Sequence, residues 1–154
     1  MRLDWTLLVS FSTCISANTH IDFDLNLAKE KSNKNPVYYV QYAHARMNSI
    51  LEKGNYSEEK VDWLLLKEKE ELDLAKKLIQ FPDLVTEISR SYNVHNLTFY
   101  SIEVADLFHK FYEKVRVLGE SPELTSARLG LVRAAKITLR NCLSTLGVSA
   151  PERM

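Results

Sequence analysis

The chain has 154 residues, enough for one ordinary domain with little left for a second. Hydrophobic residues make up 45% of it and charged residues 26%, a balance that excludes an intrinsically disordered chain. Its 20 basic and 20 acidic side chains cancel, so net charge does not indicate a nucleic-acid partner, and any RNA-binding surface has to come from local clustering.

The N-terminal segment, residues 1–17, carries a short apolar run at residues 7–11 behind Arg2. A secretory signal has this general form. Asp4 in the leader and Ser10 in the apolar run count against that interpretation. The run is also too short to span a bilayer.

Cysteine and histidine usage gives no sign of a disulfide framework or a metal site. Cys14 and Cys142 are far apart, and Cys142 falls on an apolar helical stripe, which favours a small core residue over a nucleophile. The four histidines share no ligand spacing with one another or with the cysteines. The glycines are isolated, so no phosphate-binding loop is predicted either.

From Asn35 onward the apolar pattern is helical. Asn35 followed by proline predicts a helix N-terminus, and Gly54 predicts its end. Ser57 and the glutamates after it predict a second helix, with a bend between Trp63 and Leu66 before the charged stretch 67–77. Acids and bases alternate there at helical spacing, which is typical of a solvated face held by local ion pairs.

Three further helices are predicted over residues 82–92, 96–118 and 121–147. Gly119 is expected to close the middle one, and a serine-proline pair begins the last. No strand alternation and no internal repeat interrupt this region. The sequence therefore predicts an all-α bundle with short connections.

Two tyrosine–arginine pairs stand out as candidate functional residues. Tyr42 and Arg46 lie four residues apart on one predicted helix, and Tyr112 and Arg116 lie four apart on another, so each pair is expected to share a helix face. A ring beside a guanidinium suits unpaired RNA bases, because the ring stacks on a base while arginine binds phosphate or caps the stack. A cation–π contact at the edge of the core explains the same pattern.

A basic stripe on the last predicted helix is a second candidate. Arg133, Lys136 and Arg140 follow a spacing of three and four, with no acid between Glu123 and Glu152. Such a stripe can meet RNA phosphates. It can equally be a solubilising face near a helix C-terminus, where cations are favoured.

Six segments resemble the anticodon-binding domain of arginyl-tRNA synthetases. They are Asn18–Lys29, Asn35–Arg46, Leu107–Tyr112, Arg116–Leu118, Ala127–Leu129 and Gly147–Met154. The most specific parts are Gln-Tyr-Ala-His-Ala-Arg at residues 41–46 and the ending Ala-Pro-Glu-Arg-Met. The resemblance implies an all-α bundle of the DALR type over residues 35–154, preceded by a remnant of the junction from a catalytic domain at 18–34. Residues 1–17 do not match the family and can be disordered.

The same resemblance implies which side chains meet tRNA. The positions placed against anticodon bases are Tyr42, Arg46, Tyr112 and Met154. The candidate contacts to the tRNA backbone are Arg116, Arg133, Lys136 and Arg140. The implied partners are arginine tRNA and the parent enzyme's catalytic domain, with no membrane and no DNA, in the cytoplasm.

The signatures of class I synthetases, His-Ile-Gly-His and Lys-Met-Ser-Lys-Ser, do not occur in the sequence. We therefore expect a fragment without the catalytic domain, inactive as a ligase by itself, with ATP a requirement of the parent enzyme and no cofactor in this chain. The alternative is a non-catalytic helical fragment that self-associates or docks on another protein through an exposed apolar face.

Overall fold

The computed structural model describes residues 35–54 and 61–154. In these two stretches the chain forms five α-helices, one 3₁₀ turn and no strand, which confirms the predicted all-α class. The elements are α1 (Pro36–Gly54), the 3₁₀ turn (Trp63–Leu65), α2 (Lys69–Ile79), α3 (Phe81–Ser91), α4 (His95–Lys114) and α5 (Pro122–Thr145). The segment 1–17, the junction 18–34 and the predicted helix start at Ser57 lie outside the described residues.

Helix α1 begins and ends where the sequence predicts. The Asn35 side chain accepts a hydrogen bond from the backbone N–H of Val37 at 3.1 Å, which satisfies one of the free donors of the first turn. At the other end, a Cβ atom on Gly54 would lie 2.7 Å from the methyl groups of Leu129. A side chain at this position would therefore have to displace the Leu129 methyl groups where α1 approaches α5.

The second predicted helix is interrupted between residues 61 and 68. Residues 61–68 are not α-helical, because the Asp62 carboxylate accepts from the N–H of Leu64 and closes a 3₁₀ turn instead. Helix α2 then begins at Lys69 with Glu68 as its N-cap. Trp63, in the 3₁₀ turn, packs on Gly130 of α5, where a Cβ atom would come within 2.9 Å of the indole ring. This contact explains the one glycine that lies within a helix core.

The charged stretch is only partly a solvated face. Lys69 and Asp73 form the expected exposed pair at 2.9 Å. Glu71, by contrast, is fully buried, and its carboxylate accepts from the backbone N–H groups of Lys67 and Glu68 at 2.8 and 2.9 Å. Its other oxygen accepts from Nε of Arg128 on α5 at 2.6 Å. The prediction of a wholly solvated stretch was therefore wrong at Glu71.

Helix α4 ends at Lys114, four residues before the predicted end at Leu118. Val115 adopts extended backbone, with φ −112° and ψ 126°, and is itself buried. The chain leaves the helix there because Arg128 Nη1 binds the carbonyl oxygen of Arg116 at 2.8 Å. Gly119, which was expected to close the helix, instead supplies a turn with φ 90°.

Helix α5 starts at the predicted serine cap, where Ser121 accepts from the N–H of Leu124. At its C-terminus Gly147 has φ 69°, the N–H of Val148 donates to the Leu143 carbonyl at 2.8 Å, and the N–H of Gly147 donates to Ser144 at 3.1 Å. These two bonds are the Schellman pattern of a helix stop. They turn the chain back toward α1.

The core lies between α1, α4 and α5, each of which packs against the other two, and α2 lies across α4 and α5. Helix α3 contributes no fully buried residue and packs mainly on α4. Cys142 is completely buried, as predicted, and burial raises the pKa of its thiol to about 11. None of the helices in 35–54 and 61–154 is long and apolar enough to cross a membrane.

Candidate functional site

The predicted tyrosine and arginine residues meet across two helices rather than along one. Arg46 on α1 donates from Nη2 to the hydroxyl oxygen of Tyr112 on α4 at 3.1 Å. The central carbon of the same guanidinium lies 4.9 Å from the centre of the Tyr112 ring. Both the cation–π contact and the hydrogen bond therefore join α1 to α4, and Arg46 remains exposed.

The expectation that Tyr112 and Arg116 share a helix face was wrong. Helix α4 has ended two residues before Arg116, and the Arg116 side chain donates from Nε to the carbonyl oxygen of Leu118 at 3.1 Å. It covers the turn at Gly119, where a Cβ atom would lie 3.0 Å from Nη2 of Arg116. Arg116 thus belongs to the loop before α5 and not to the surface around Tyr112.

Five rings form one layer between α1 and α4, which we call the aromatic cluster: Tyr39, Tyr42, Phe108, His109 and Tyr112. Tyr42 stacks on His109 with 6.1 Å between ring centres and 23° between planes. Phe108 stacks beneath Tyr112 at 6.1 Å and 25°. Phe108 is fully buried, whereas 39% of Tyr42 is exposed, so the cluster runs from the core to the surface.

The sequence did not single out three residues in and beside the aromatic cluster: Tyr39, Asp106 and His109. The Tyr39 hydroxyl donates to Oδ1 of Asp106 at 2.6 Å, and burial together with this bond raises the pKa of Tyr39. His109 lies between Tyr39 and Tyr42, with 5.2 Å from its ring centre to that of Tyr39. A spacing of three links Tyr39 to Tyr42 and Asp106 to His109, so helical spacing was the signal that could have identified them.

His109 presents an unusual polar atom to this cluster. Its Nε2 is buried and has no hydrogen-bond partner among the described residues. Burial lowers the pKa of His109, and Arg46 nearby acts in the same direction, while Glu113 and Asp106 oppose them. The ring is therefore expected to be neutral near pH 7, so that it acts as an aromatic support for Tyr42.

The C-terminal tail (Val148–Met154) lies along α1, next to the face that carries Tyr42 and Arg46. Gln41 Nε2 donates to the carbonyl oxygen of Ser149 at 2.8 Å, and Asn48 Nδ2 donates to that of Glu152 at 3.3 Å. Met154, at the end of the tail, is 54% exposed. The tail thus follows the direction of α1 and leaves its last side chain open to solvent.

His44 holds the middle of the tail. Its Nδ1 lies 2.8 Å from the carbonyl oxygen of Pro151, so Nδ1 is the nitrogen that carries the proton. The side chain is 1% exposed, and Nε2 has no partner among the residues described. Burial lowers the pKa of His44, with Lys136 and Arg140 adding to the effect and the Pro151 carbonyl opposing it.

We expect the free energy of unfolding to fall as the pH drops from about 7 to about 5. Since the pKa values of His44 and His109 lie below the ordinary value of 6.5 in the folded chain, the unfolded chain takes up protons that the folded chain refuses. Above about pH 7 the two histidines are neutral in the folded and in the unfolded chain. Below that pH, each histidine lowers the free energy of unfolding by at most about 1.4 kcal/mol per pH unit.

Urea unfolding across this pH range measures the effect. His44→Asn and His109→Gln should each flatten the dependence on pH, since each removes one proton-binding group. An unchanged slope in both variants would contradict the prediction.

The basic stripe on α5 is not a uniformly free surface. Lys136 donates from Nζ to Oδ1 of Asn48 at 2.6 Å and lies 3.5 Å from the carboxylate of Glu152, so it is already engaged with α1 and the tail. Arg133 is half-buried, and Arg140 is exposed. Of the three, Arg140 is the side chain whose position leaves it most available to a phosphate.

No group of three or more His, Cys, Asp or Glu side chains that could hold a metal ion occurs within 35–54 and 61–154. The geometry of the aromatic cluster with Arg46 suits stacking and hydrogen bonding with a flat, polar ligand.

Comparison with protein families gives a match over most of the chain. Residues 40–154 match the family described as DALR anticodon binding domain. An arginine–tRNA ligase of Caldanaerobacter subterraneus subsp. tengcongensis is 50% identical over 145 residues, which cover 90% of this chain and 26% of that protein. An arginine–tRNA ligase of Listeria monocytogenes serotype 4a is 48% identical over 144 residues, with the same shares covered.

Solved structures show the same fold. The arginyl-tRNA synthetase of Thermus thermophilus superimposes with a TM-score of 0.85 and 30% identity, over 97% of this chain and 26% of that one. The Plasmodium falciparum enzyme superimposes with a TM-score of 0.80 at 24% identity, also over 97% of this chain. The chain spans about a quarter of the length of the relatives that it matches.

Proposed function

The chain belongs to the DALR anticodon-binding domain family, and from that premise we propose that it binds the anticodon loop of arginine tRNA. The binding would support the ATP-dependent attachment of arginine to that tRNA, in the cytoplasm. We assign the ATP-dependent reaction to a catalytic domain, in the part of the relatives that this chain does not span. That domain would pack against this bundle. The observation that carries the proposal is the joining of Arg46 and Tyr112 across α1 and α4, beside Tyr42.

The exposed edge of the aromatic cluster fits an unpaired base. Tyr42 is open to solvent on one side and supported by His109 on the other, so a base can stack on it without distorting the fold. Arg46 is already oriented by Tyr112, which reduces the side-chain entropy lost when it binds a base edge or a phosphate. Met154 is exposed and can contribute apolar contact.

Recognition by stacking and a few polar contacts also suits the charge of the chain. With 20 basic and 20 acidic residues, and with Lys136 engaged internally, few phosphates would be neutralised. The affinity should therefore depend only weakly on salt. A steep salt dependence would indicate non-specific binding through Arg133, Lys136 and Arg140.

The proposal is tested by the binding of the full chain to arginine tRNA and to the same tRNA with its anticodon bases replaced. The native anticodon should bind more tightly, and Tyr112→Ala should weaken that binding by about tenfold to a hundredfold, because Arg46 loses the hydrogen bond and the ring contact that orient it. Arg46→Lys keeps the charge but loses the planar group, so it should also weaken binding.

Tyr92→Asn is the matched control. Tyr92 is 84% exposed at the end of α3, and asparagine tolerates its positive φ of 59°. Binding should be unchanged in this variant. Equal, weak binding of both tRNAs by the unmodified chain would refute the proposed function.

Self-association is the second candidate function, favoured by exposed apolar side chains near α2. Leu64 is 84% exposed, Ile79 is 74% exposed and Trp63 is 53% exposed. Trp63 and Leu64 are adjacent in the 3₁₀ turn, and contiguous exposed apolar surface often belongs to an interface. A size-exclusion profile that shifts with protein concentration, and no longer shifts in Leu64→Ser/Ile79→Ser, would support this function.

A further inference from the structure

The C-terminal tail is held by side chains at regular intervals along α1. Gln41, His44, Asn48 and Glu52 are separated by three, four and four residues, so they share one helix face. The first three contact the backbone of Ser149, Pro151 and Glu152 in the same order. Each successive turn of α1 therefore binds a successive part of the tail.

Three of the four contacts from these side chains are directed at carbonyl oxygens of the tail's backbone. Gln41 binds both the carbonyl oxygen and the hydroxyl of Ser149, at 2.8 and 3.1 Å. His44 binds the carbonyl of Pro151 and Asn48 the carbonyl of Glu152. Backbone contacts of this kind set the path of the segment, whatever side chains it carries.

A lysine from a second helix completes the arrangement. Lys136 on α5 donates to Oδ1 of Asn48 at 2.6 Å, which orients the Asn48 amide so that its NH₂ group faces the tail. The same ammonium group lies 3.5 Å from the Glu152 carboxylate. His44 and Asn48 are 1% and 6% exposed, so the α1 ends of these contacts are shielded from water.

The beginning of the tail is fixed as well. Val148 is buried and its N–H is bound by the last turn of α5, while Ala150 packs against the core. Beyond Glu152 the restraint weakens, because the Arg153–Glu52 pair spans 3.7 Å between exposed groups. The tail is therefore bound to α1 as far as Glu152, and its last two residues extend from that point.

We propose that four residues form a tail clamp, which places Arg153 and Met154 beside the RNA-binding face: Gln41, His44, Asn48 and Lys136. These four are therefore positioning residues for anticodon discrimination. The inference rests on the proposed function and assigns a further role to residues that do not contact RNA. Tyr42 and Arg46 lie on the same helix α1, interleaved in sequence with the clamp residues. Releasing the tail therefore alters the surface next to them without changing them.

The test compares the full chain with His44→Ala, with His44→Asn and with a form lacking Arg153 and Met154. The Asn48 and Lys136 contacts stay in place in each. Asparagine can put its amide N–H near the position of Nδ1, so His44→Asn should keep the bond to Pro151, which His44→Ala loses. Binding is measured to arginine tRNA and to the tRNA with its anticodon replaced, and ¹⁵N relaxation of the Arg153 and Met154 amides reports the order of the tail.

We expect His44→Ala to reduce discrimination between the two tRNAs by about tenfold, as one lost base contact would, and to mobilise the tail amides. His44→Asn should restore both. The deletion should reduce discrimination as much as His44→Ala, and the two changes together should have no further effect, since they act through the same residues.

Gln41→Glu is the second test, for the case in which His44→Ala does not fold. Gln41 is half-exposed, and its change removes only the two bonds to Ser149. It should also reduce discrimination, by less than His44→Ala does. His95→Ala, a histidine remote from the tail at the start of α4, is the control and should change neither measurement.

Two results would overturn the inference while leaving the proposed function intact. One is full discrimination by His44→Ala although its tail is mobile. The other is an effect of His44→Ala that adds to that of the deletion, which would mean that His44 acts through the fold alone. If the unmodified chain does not discriminate between the two tRNAs, the proposed function itself fails, and the inference with it.

Discussion

Replacing Arg128 with methionine is expected to lower the free energy of unfolding by about 3–5 kcal/mol. Arg128 and Glu71 form an ion pair at 2.6 Å in which the arginine side chain is 9% exposed and the glutamate side chain is fully buried. Methionine fills similar space but leaves the Glu71 carboxylate without a counter-charge in the interior. It also removes the bond to the Arg116 carbonyl, which holds the loop after α4.

A double-mutant cycle separates this pair from a simple packing defect. In Glu71→Gln/Arg128→Met no buried charge remains, and the amide of glutamine can still bind backbone groups near Glu68. The double variant should therefore recover part of the stability that Arg128→Met loses. Urea unfolding followed by circular dichroism gives the four free energies. Additive losses would show that the ion pair itself contributes little.

Phe108→Ala is expected to cost about 3–5 kcal/mol of stability and to weaken RNA binding as well. Phe108 is fully buried in α4, and it supports both Tyr112 and His109 by ring contacts at 6.1 and 5.5 Å. Removing its ring leaves a cavity beneath the rings of Tyr112 and His109. The rings above it lose the packing that fixes their orientation, so the base-stacking surface becomes less ordered.

Phe99→Ala is the control for this prediction. Phe99 lies on the same helix but is 53% exposed, so its loss should change stability by no more than about 0.5 kcal/mol. Thermal unfolding and tRNA binding, measured on both variants at a temperature where each is folded, test the two effects separately. Unchanged tRNA binding by folded Phe108→Ala would show that the cluster does not need this support.

Helix ends were predictable where a local signal decides them. The Asn35 cap of α1, the serine cap of α5 and the glycine stop at Gly147 all depend on residues within one turn of the end. The end of α4 was not predictable in this way. Its apolar stripe continues to Leu118, but the backbone leaves the helix at Val115 because Arg128, on another helix, binds the carbonyl of Arg116.

The candidate site was also only partly predictable from the sequence. Tyr42, Arg46 and Tyr112 were found from residue type and helical spacing. Their arrangement was not, because spacing pairs residues within one helix, whereas Arg46 bonds to Tyr112 across 66 positions of sequence. Arg116 was misplaced for the same reason. His109 and Asp106 were overlooked although they share a helical spacing of three, because only the packing of the two helices shows that they contact Tyr39 and Tyr42.

The sequence by itself determined the helical class, most of the helix boundaries, the family resemblance and the identity of the exposed tyrosines and arginine. The helical class and the helix boundaries follow from side-chain periodicity, capping and turn preferences, which act over a few neighbouring residues. The family resemblance rests instead on specific segments, such as residues 41–46 and the last five residues. Only the tertiary structure decided that Glu71 is buried against Arg128, that Arg46 pairs with Tyr112 and that the C-terminal tail lies on α1. Each of these contacts joins residues more than 50 positions apart, so its formation depends on how the helices pack and on the exclusion of water between them.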